Sequence, residues 1–437
     1  MASAISRLTA QLRSPKGIAS GILGVGAMQA VMTGSTMLAT VILARALGPE
    51  ELGLFAFASS IVVLIALPVN AGLPNLVMRE VARYEHGERW DLMKGILRRA
   101  HQFVGLAVLC IVLPVAGYAW YRSGGEANGF WAVLFAAIWL IPFNALSNLR
   151  AATMKGWRFA VMGNAPEMLV RRGGFFLLVL ALYLAGMSSA VEAAIAQSLA
   201  CACAFVVGAY LLSRVKPAEL KQAQPSFDTA RWAKDWLPFT FLAGVTVADL
   251  QLGTALIGSL APEAEVGYFR VASTVASAVA IPLLVVNMVI APHFARRHAQ
   301  GDMAGLGQLA RTAARIVAAL AFPAALVLWL FGEPLVELVF GADFRPAVLP
   351  MLVLVSAQMI NVLAGSVGQL LNMTGNQRVT AQAIGSGLVL NVLGCLWLVP
   401  QYGALGGALA TAASILFWNL FMVWRLWRIL GLRTTAI

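Results

Sequence analysis

Charged residues are scarce in this sequence. Only 11% of its 437 residues are Asp, Glu, Lys or Arg, whereas 60% are hydrophobic, and the mean hydropathy is +0.80. A soluble domain carries about 25% charged residues and could not bury this much apolar surface. The composition therefore excludes a soluble protein and predicts an all-α polytopic membrane protein.

Cysteine and histidine are also rare, with four residues of each type. The cysteines all fall in apolar runs, and the histidines lie in or beside predicted loops, away from any carboxylate cluster with metal-ligand spacing. We therefore expect no disulfide framework, no metal site and no cofactor. The sequence also lacks a catalytic constellation and a phosphate-binding glycine loop, which argues against an enzyme.

Long apolar runs are what the sequence has in abundance. At about 20 residues per span, they predict twelve transmembrane helices, joined on one face by very short connections such as 48–51, 186–188 and 261–265. Of the 31 Lys and Arg residues, 25 lie in the termini and longer connections of the other face or at the span ends beside them. The positive-inside rule then places both termini and the longer connections in the cytoplasm. This distribution explains the basic charge without a nucleic-acid partner.

One stretch of sequence occurs twice. The residues LGPEELGLFAFAS at 47–59 return as LAPEAEVGYFRVAS at 260–273, with one extra residue, Ala264, in the second copy. The distance from the shared glycine to the next proline, Pro68 or Pro282, is the same in both copies. Shared spacing over this length indicates a duplicated unit.

The duplication predicts how the chain is divided. Six spans in each half give both halves the same orientation, so the repeat is parallel. We predict an N-terminal six-helix lobe over residues 1–215, a cytoplasmic linker over 216–235 and a C-terminal six-helix lobe over 236–437. Two such lobes would pack around a central cleft.

A few ionic side chains fall inside the predicted spans, where each charge costs on the order of 3 kcal/mol. Such residues are candidates for a functional site because that cost needs a compensating role. The candidates are Arg45, Arg171, Arg172, Arg270, Glu167 and Asp249.

Each candidate also has a purely structural interpretation. Glu167 lies four residues before Arg171 on one helical face, which favours an intrahelical ion pair. Arg171 and Arg172 would otherwise reach the inner membrane surface or form an anion site at the inner mouth of the cleft. Arg45 lies at the outer end of its span, where it would reach the membrane surface or extend an outer basic site.

The second half of the chain offers one more pair of opposite charges. An ion pair between Asp249 and Arg270 would tie two helices together. Alternatively, Arg270 would bind a phosphate group while Asp249 acts as its counter-ion or as a coupling group that titrates during transport.

The sequence also resembles a known family. The run RALGPEELGLF at 45–55 is followed by GLP at 72–74 and REVAR at 79–83, and the second half agrees through VGYFR at 266–270. These residues resemble the signature of the polysaccharide-transporter flippases. That family shares a superfamily with the multidrug and toxin extrusion carriers and with the peptidoglycan-precursor flippases, which have two helices beyond the twelve predicted here.

The resemblance implies a function. Members of the family move undecaprenyl-linked oligosaccharides across the bacterial inner membrane by alternating access through a cationic cleft, for O-antigen, capsule or exopolysaccharide synthesis. They act beside glycosyltransferases and a glycan polymerase, and proton or sodium coupling would drive the cycle. The resemblance places the binding of the carrier's phosphate on Arg45, Arg171, Arg172 and Arg270.

Two other functions fit parts of the sequence. A drug or toxin antiporter, coupled to a cation, would need an excess of acidic groups in the cleft, whereas Glu167 and Asp249 are the acidic residues well inside the spans. A membrane polymerase or glycosyltransferase would need a large outer loop, and the outer connections are too short. The excess of arginine favours an anionic cargo, so the flippase is the leading prediction and the antiporter the alternative.

Overall fold

The computed structural model describes residues 15–70, 72–126 and 128–432, with side chains from Gly34 onward except at 160, 238, 239, 241 and 242. These residues form helices and short connections, and no strand occurs among them. The all-α class is therefore confirmed.

The first half of the described chain forms eleven α-helices. Two π-helical segments, Val108–Val112 and Pro166–Gly173, continue directly into the α-helices that follow them. The α-helices are α1 (Pro15–Ile65), α2 (Leu67–Asn70), α3 (Leu73–His86), α4 (Trp90–Ala107), α5 (Leu113–Ser123), α6 (Phe130–Ala137), α7 (Leu140–Gly156), α8 (Ala160–Ala165), α9 (Gly174–Leu184), α10 (Ala190–Val215) and α11 (Ala218–Gln222).

The second half contains fewer but longer helices. One 3-10 segment, Ala342–Ala347, precedes the helix that begins at Val348. The α-helices are α12 (Thr229–Leu260), α13 (Glu263–Val279), α14 (Ile281–Ala299), α15 (Met303–Phe340), α16 (Val348–Ala364), α17 (Val367–Met373) and α18 (Gln377–Leu430). α12 begins inside the predicted linker 216–235, and α11 lies wholly within it. The division into two lobes at these boundaries stays a prediction.

Many of these helices are long and apolar enough to cross a membrane. Eight described helical stretches meet that condition, some of them made of two consecutive elements such as α6 with α7, and a ninth span is formed if the bent pair α13 and α14 counts as one. α1 and α18 are each interrupted by a glycine with a positive φ, Gly48 at 70° and Gly403 at 53°. Only glycine adopts such a conformation readily, so each long helix turns there: α1 within the predicted connection 48–51, and α18 directly after the short connection predicted at 401–402. The chain is a multi-pass membrane protein, and the number twelve stays a prediction.

The duplicated unit is visible in the hydrogen bonds. Glu51 Oε2 accepts a bond from the backbone N–H of Ala190 at 2.7 Å, and Glu265 Oε2 accepts one from the N–H of Ala404, also at 2.7 Å. Both bonds join residues 139 positions apart. Glu51 and Glu265 are counterparts in the two copies of the repeated sequence, and each holds the first turn of a helix. The two copies therefore make the same contact in the folded protein.

The two repeated turns also pack directly against each other. A methyl group on Gly53 would overlap the carbonyl oxygen of Glu263, and one on Gly267 would overlap the carbonyl oxygen of Pro49. The reciprocal contact brings α1 against α13 around a pseudo-two-fold axis. We call this end of the molecule the outer end, in keeping with the predicted topology, and the opposite end the inner end.

A cluster of polar side chains joins α3 to the beginning of α12 at the inner end. Glu80 is fully buried and accepts hydrogen bonds from Arg79 Nε at 3.0 Å and from Arg231 at 3.5 Å. Trp232 Nε1 donates to the hydroxyl of Tyr84 at 2.9 Å. The start of α12 is thus held against the first half of the chain.

Replacing Glu80 by alanine should lower the free energy of unfolding by about 2 kcal/mol, because it removes the buried carboxylate that accepts hydrogen bonds from the part-exposed side chains of Arg79 and Arg231. Thermal unfolding of the purified protein in one detergent would measure the change. Glu219→Ala is the control, since Glu219 is exposed on α11. Equal melting temperatures for the two variants would show that Glu80 does not hold α3 and α12 together.

Candidate functional site

The charged residues predicted in the first half line a polar cavity. It has a volume of about 280 Å³ and lies between α3, α7 and the segment that runs from α8 into Pro166–Gly173. Its polar lining includes Asn148, Lys155, Asn164, Glu167, Arg171 and Arg172. Three cations and one carboxylate therefore face a common space.

Glu167 and Arg171 form the predicted intrahelical ion pair. Arg171 Nε donates to Glu167 Oε2 at 2.6 Å. The second oxygen, Oε1, is buried and has no donor among the described residues. The segment that carries both residues is π-helical, a rare geometry that recurs at functional sites. The ion pair does not neutralise the cavity, because Lys155 and Arg172 remain.

Arg150 is a fourth cation beside this cavity. The positive-inside count places Arg150 with the basic residues of an inner connection, but α7 continues beyond it to Gly156, and Arg150 is only 4% exposed. Its guanidinium lies against α10 at Gly208, where a Cβ atom would overlap it. None of its three nitrogens has an acceptor in the described part of the chain.

The sequence contained little that could have revealed the burial of Arg150. Arg150 ends an apolar run and is followed by Lys155 and Arg158, which is the usual pattern of a helix end at the membrane surface. The space that receives its guanidinium exists because residue 208, on another helix, is glycine. That relation is tertiary and has no local signature.

The other predicted site residues lie elsewhere. Arg45 is exposed at the outer end, where Nε donates to the carbonyl of Val339 at 2.8 Å and another nitrogen donates to the carbonyl of Leu338. These carbonyls end α15, where a cation is favourable. Arg45 therefore binds another helix terminus and does not line the polar cavity.

Arg270 and Asp249 are both partly buried but do not pair. No ion pair joins them among the residues whose side chains are described. The guanidinium of Arg270 has no hydrogen-bond acceptor in that same set, although its backbone carbonyl accepts bonds from Ser273 and Thr274. The structure thus brings Glu167, Arg171 and Arg172 together, and leaves Arg45, Arg270 and Asp249 outside their cavity.

A second and larger cavity is almost wholly apolar. It has a volume of about 600 Å³ and is lined by aromatic side chains of α5, α6 and α7, including Trp120, Phe135 and Phe143. Apolar walls of this kind suit lipid chains and would not attract an anion. The 280 Å³ cavity is therefore the candidate site for a charged group.

Comparison with known proteins decides the family. The model of the family described as "Polysaccharide biosynthesis protein" matches residues 42–349. The chain belongs to this family. The resemblance seen in the sequence is thereby confirmed.

Individual relatives agree with this assignment. The chain is 25% identical over 420 residues to the lipid III flippase of Escherichia coli, covering 93% of this chain and 99% of that one. It is also 25% identical over 392 residues to the probable low-salt glycan biosynthesis flippase of Haloferax volcanii, covering 87% of this chain and 77% of that one.

Solved structures share the fold of this family member. An inward-facing multidrug resistance MATE family transporter of the MOP superfamily superposes with a TM-score of 0.72 at 15% identity, covering 93% of this chain and 96% of that one. The lipid II flippase MurJ in an inward closed conformation gives 0.71 at 11% identity, covering 91% and 86%. An outward-facing MATE transporter gives 0.63 at 17% identity, covering 96% and 97%. The fold is therefore that of a membrane transporter.

Proposed function

We propose that this protein is a flippase that moves an undecaprenyl phosphate- or diphosphate-linked oligosaccharide across the bacterial inner membrane by alternating access. Its product would supply O-antigen, capsule or exopolysaccharide synthesis, together with glycosyltransferases and a glycan polymerase. The observation that carries the proposal is the cavity in which Lys155, Arg171 and Arg172 face a single carboxylate, Glu167. The flippases among its relatives support the same function.

The charges of the cavity match an anionic head group. A diphosphate ester carries two negative charges, and arginine binds phosphate oxygens through two parallel hydrogen bonds. Such bonds are strengthened where water is excluded. A cationic or apolar drug would find a net positive charge here, which disfavours the antiporter despite the fold it shares with MATE transporters.

The packing at the outer end suits one state of an alternating-access cycle. The turns at Gly53 and Gly267 are in contact and Arg45 binds the end of α15, so the outer end is closed. The TM-score is 0.72 for an inward-facing MATE transporter and 0.71 for MurJ in an inward closed conformation, against 0.63 for an outward-facing MATE transporter, which supports a resting state that is closed on the outer side. We propose that head groups enter from the inner end, with proton or sodium coupling at Glu167 or Asp249 resetting the cycle.

The double substitution Arg171→Ala with Arg172→Ala should reduce transport at least tenfold, because two of the three cations that line the cavity are removed and about 1.4 kcal/mol suffices for that factor. Surface glycan and inner-leaflet lipid-linked precursor are measured in cells that lack the wild-type gene, at matched expression. The precursor should accumulate while surface glycan falls.

Two further variants complete this test. Arg214→Ala is the control, because Arg214 is exposed at the end of α10 and donates to Tyr210. Replacing Arg171 by lysine instead of alanine should retain part of the transport. Lysine keeps the positive charge but cannot donate two parallel hydrogen bonds to a phosphate group. Normal glycan in the double variant, accompanied by increased sensitivity to cationic drugs, would contradict the flippase and favour the antiporter.

A further inference from the structure

Two side chains of opposite charge have buried polar atoms without partners in the same region of the fold. All three guanidinium nitrogens of Arg150 are without an acceptor, and Oε1 of Glu167 is without a donor, in the described part of the chain. A buried charge without a partner costs several kcal/mol. The pairing seen in this structure therefore leaves the buried charge of Arg150 uncompensated, and an ion pair between Arg150 and Glu167 would remove that cost.

Glu167 is the shared counter-ion of the whole group. It is bonded to Arg171, and it is the acidic residue whose charge acts on Arg150, Lys155 and Arg172. One carboxylate thus serves four cations. The nitrogens of Arg150 are sealed from the cavity, so an anion that enters it meets the other three cations and not Arg150.

The backbone around Glu167 is suited to a local change. Pro166 begins the π-helical segment and contributes no backbone N–H, while Gly173 and Gly174 follow Arg172 and restrict the backbone little. Wider turns of this kind are rare and occur mostly as single turns within α-helices, frequently at functional sites. Glu167 therefore sits in a segment that can change local geometry at small cost.

We propose that Glu167 exchanges partners when the cavity is loaded. A phosphate or diphosphate group replaces its carboxylate on Arg171, and the carboxylate moves to Arg150. The proposal rests on the proposed function, because it takes the anion to be the head group of the transported lipid. In the loaded state every charge has a partner, whereas in the empty state Arg150 has none.

This exchange makes Arg150 a positioning residue that never touches the ligand. Its role is to accept Glu167 so that Arg171 becomes free for the anion. A ligand without phosphate could not displace the carboxylate, so the exchange selects for ligands with a phosphate-bearing head group. Loading would change the contacts between α7 and the π-helical segment. Such a difference between the loaded and the empty state is what allows a ligand to shift a conformational equilibrium.

A double-mutant cycle on the full-length protein in lipid nanodiscs tests the exchange. Calorimetric titration with farnesyl diphosphate and with inorganic diphosphate measures affinity. Arg150→Met should weaken the binding of farnesyl diphosphate at least tenfold, because the displaced carboxylate has no new partner. The same substitution should raise the melting temperature of the empty protein, since it removes an unpaired buried charge.

The second substitution isolates the role of Glu167. Adding Glu167→Gln to Arg150→Met should restore the affinity to within threefold of Glu167→Gln alone, because a neutral amide needs no counter-ion. Glu167→Gln alone should tighten binding at least threefold by freeing Arg171. This single variant keeps the proposal testable if Arg150→Met does not fold. Arg214→Met is the matched control and should leave the affinity unchanged.

Specific outcomes would overturn the exchange. Unchanged affinity in Arg150→Met would show that Glu167 stays on Arg171. A loss that Glu167→Gln fails to restore would mean that Arg150 binds the anion directly. Unchanged or weaker binding in Glu167→Gln alone would show that the carboxylate does not compete for Arg171. If the wild-type protein binds neither probe, the cavity has no anion site, and the exchange is contradicted.

The proposed function fails in a different way. Equal affinities for farnesyl diphosphate and inorganic diphosphate would identify a site for free phosphate compounds and contradict a lipid carrier. The double-mutant cycle would still decide the exchange in that case. Conversely, loss of surface glycan in the arginine variants, with no coupling between Arg150 and Glu167, would support the flippase and contradict the exchange.

Discussion

Replacing Gly53 by alanine is expected to abolish transport. The added methyl group would overlap the carbonyl oxygen of Glu263, which belongs to the backbone of the facing turn and cannot rotate away. Overpacking of this kind typically costs 1 to 3 kcal/mol. Because the outer end is where α1 meets α13, the strain is relieved by separating the two turns. A shift of about 3 kcal/mol changes the ratio of closed to open outer ends more than a hundredfold.

The opening can be measured directly. Ala56 is 5% exposed and lies in α1 beyond the Gly53 contact. In a protein whose four cysteines are replaced by serine, a single Ala56→Cys should react with a membrane-impermeant maleimide at least tenfold faster when Gly53→Ala is present. Surface glycan should fall in the same cells.

Gly117→Ala is the matched control for this experiment. Gly117 is also a helical glycine of the first half of the chain, but nothing lies within 4 Å of the position its Cβ would take. Gly267→Ala should repeat the effect of Gly53→Ala, because its methyl group would overlap the carbonyl oxygen of Pro49. If labelling and glycan match the control in both variants, the two turns do not form the outer closure.

Arg270→Ala is expected to cause the second large loss. Arg270 replaces the buried Ala56 of the first copy, and its guanidinium has no acceptor in the part of the chain whose side chains are described. A cation in a span costs several kcal/mol without a partner. We therefore expect Arg270 to bind the anionic cargo during transport. In Arg270→Ala, surface glycan should fall at least tenfold while the lipid-linked precursor accumulates on the inner side. Arg270→Lys should recover part of the surface glycan.

The alternative role of Arg270 is a helix tie, and stability separates the two roles. If Arg270 only held α13 in place, Arg270→Ala would lower the melting temperature together with the glycan level. A cargo-binding role predicts an unchanged or higher melting temperature with lost transport, because an unpaired charge has been removed. Normal glycan in both variants would exclude Arg270 from the transport path.

Some features of the site were accessible from sequence because they depend on neighbouring residues. The ion pair between Glu167 and Arg171 follows from their spacing of four, which places them on one face of a helix. The paired roles of Glu51 and Glu265 follow from the repeated sequence around them, since equal sequences in equal surroundings make equal contacts.

Other features were not accessible because their partners are distant in the chain. Arg45 and Arg150 show the same local pattern, a basic residue at the end of an apolar run, but their side chains lie in different surroundings. Arg45 meets the carbonyls that end α15, whereas Arg150 is enclosed where Gly208 leaves room on α10. Neither outcome could be inferred without knowing which helices are neighbours.

The amino-acid sequence by itself determined the all-α membrane class, the duplicated turns and the excess of cations over acids within the spans. Composition, periodicity and repetition are properties of the sequence that do not depend on which helices pack against each other. Tertiary structure alone decided which of those charges share a cavity, which are bound to helix ends and which are left without a partner. Burial and pairing depend on the packing of segments far apart in sequence, and that packing is what encloses Arg150 against Gly208 while Glu167 stays paired with Arg171.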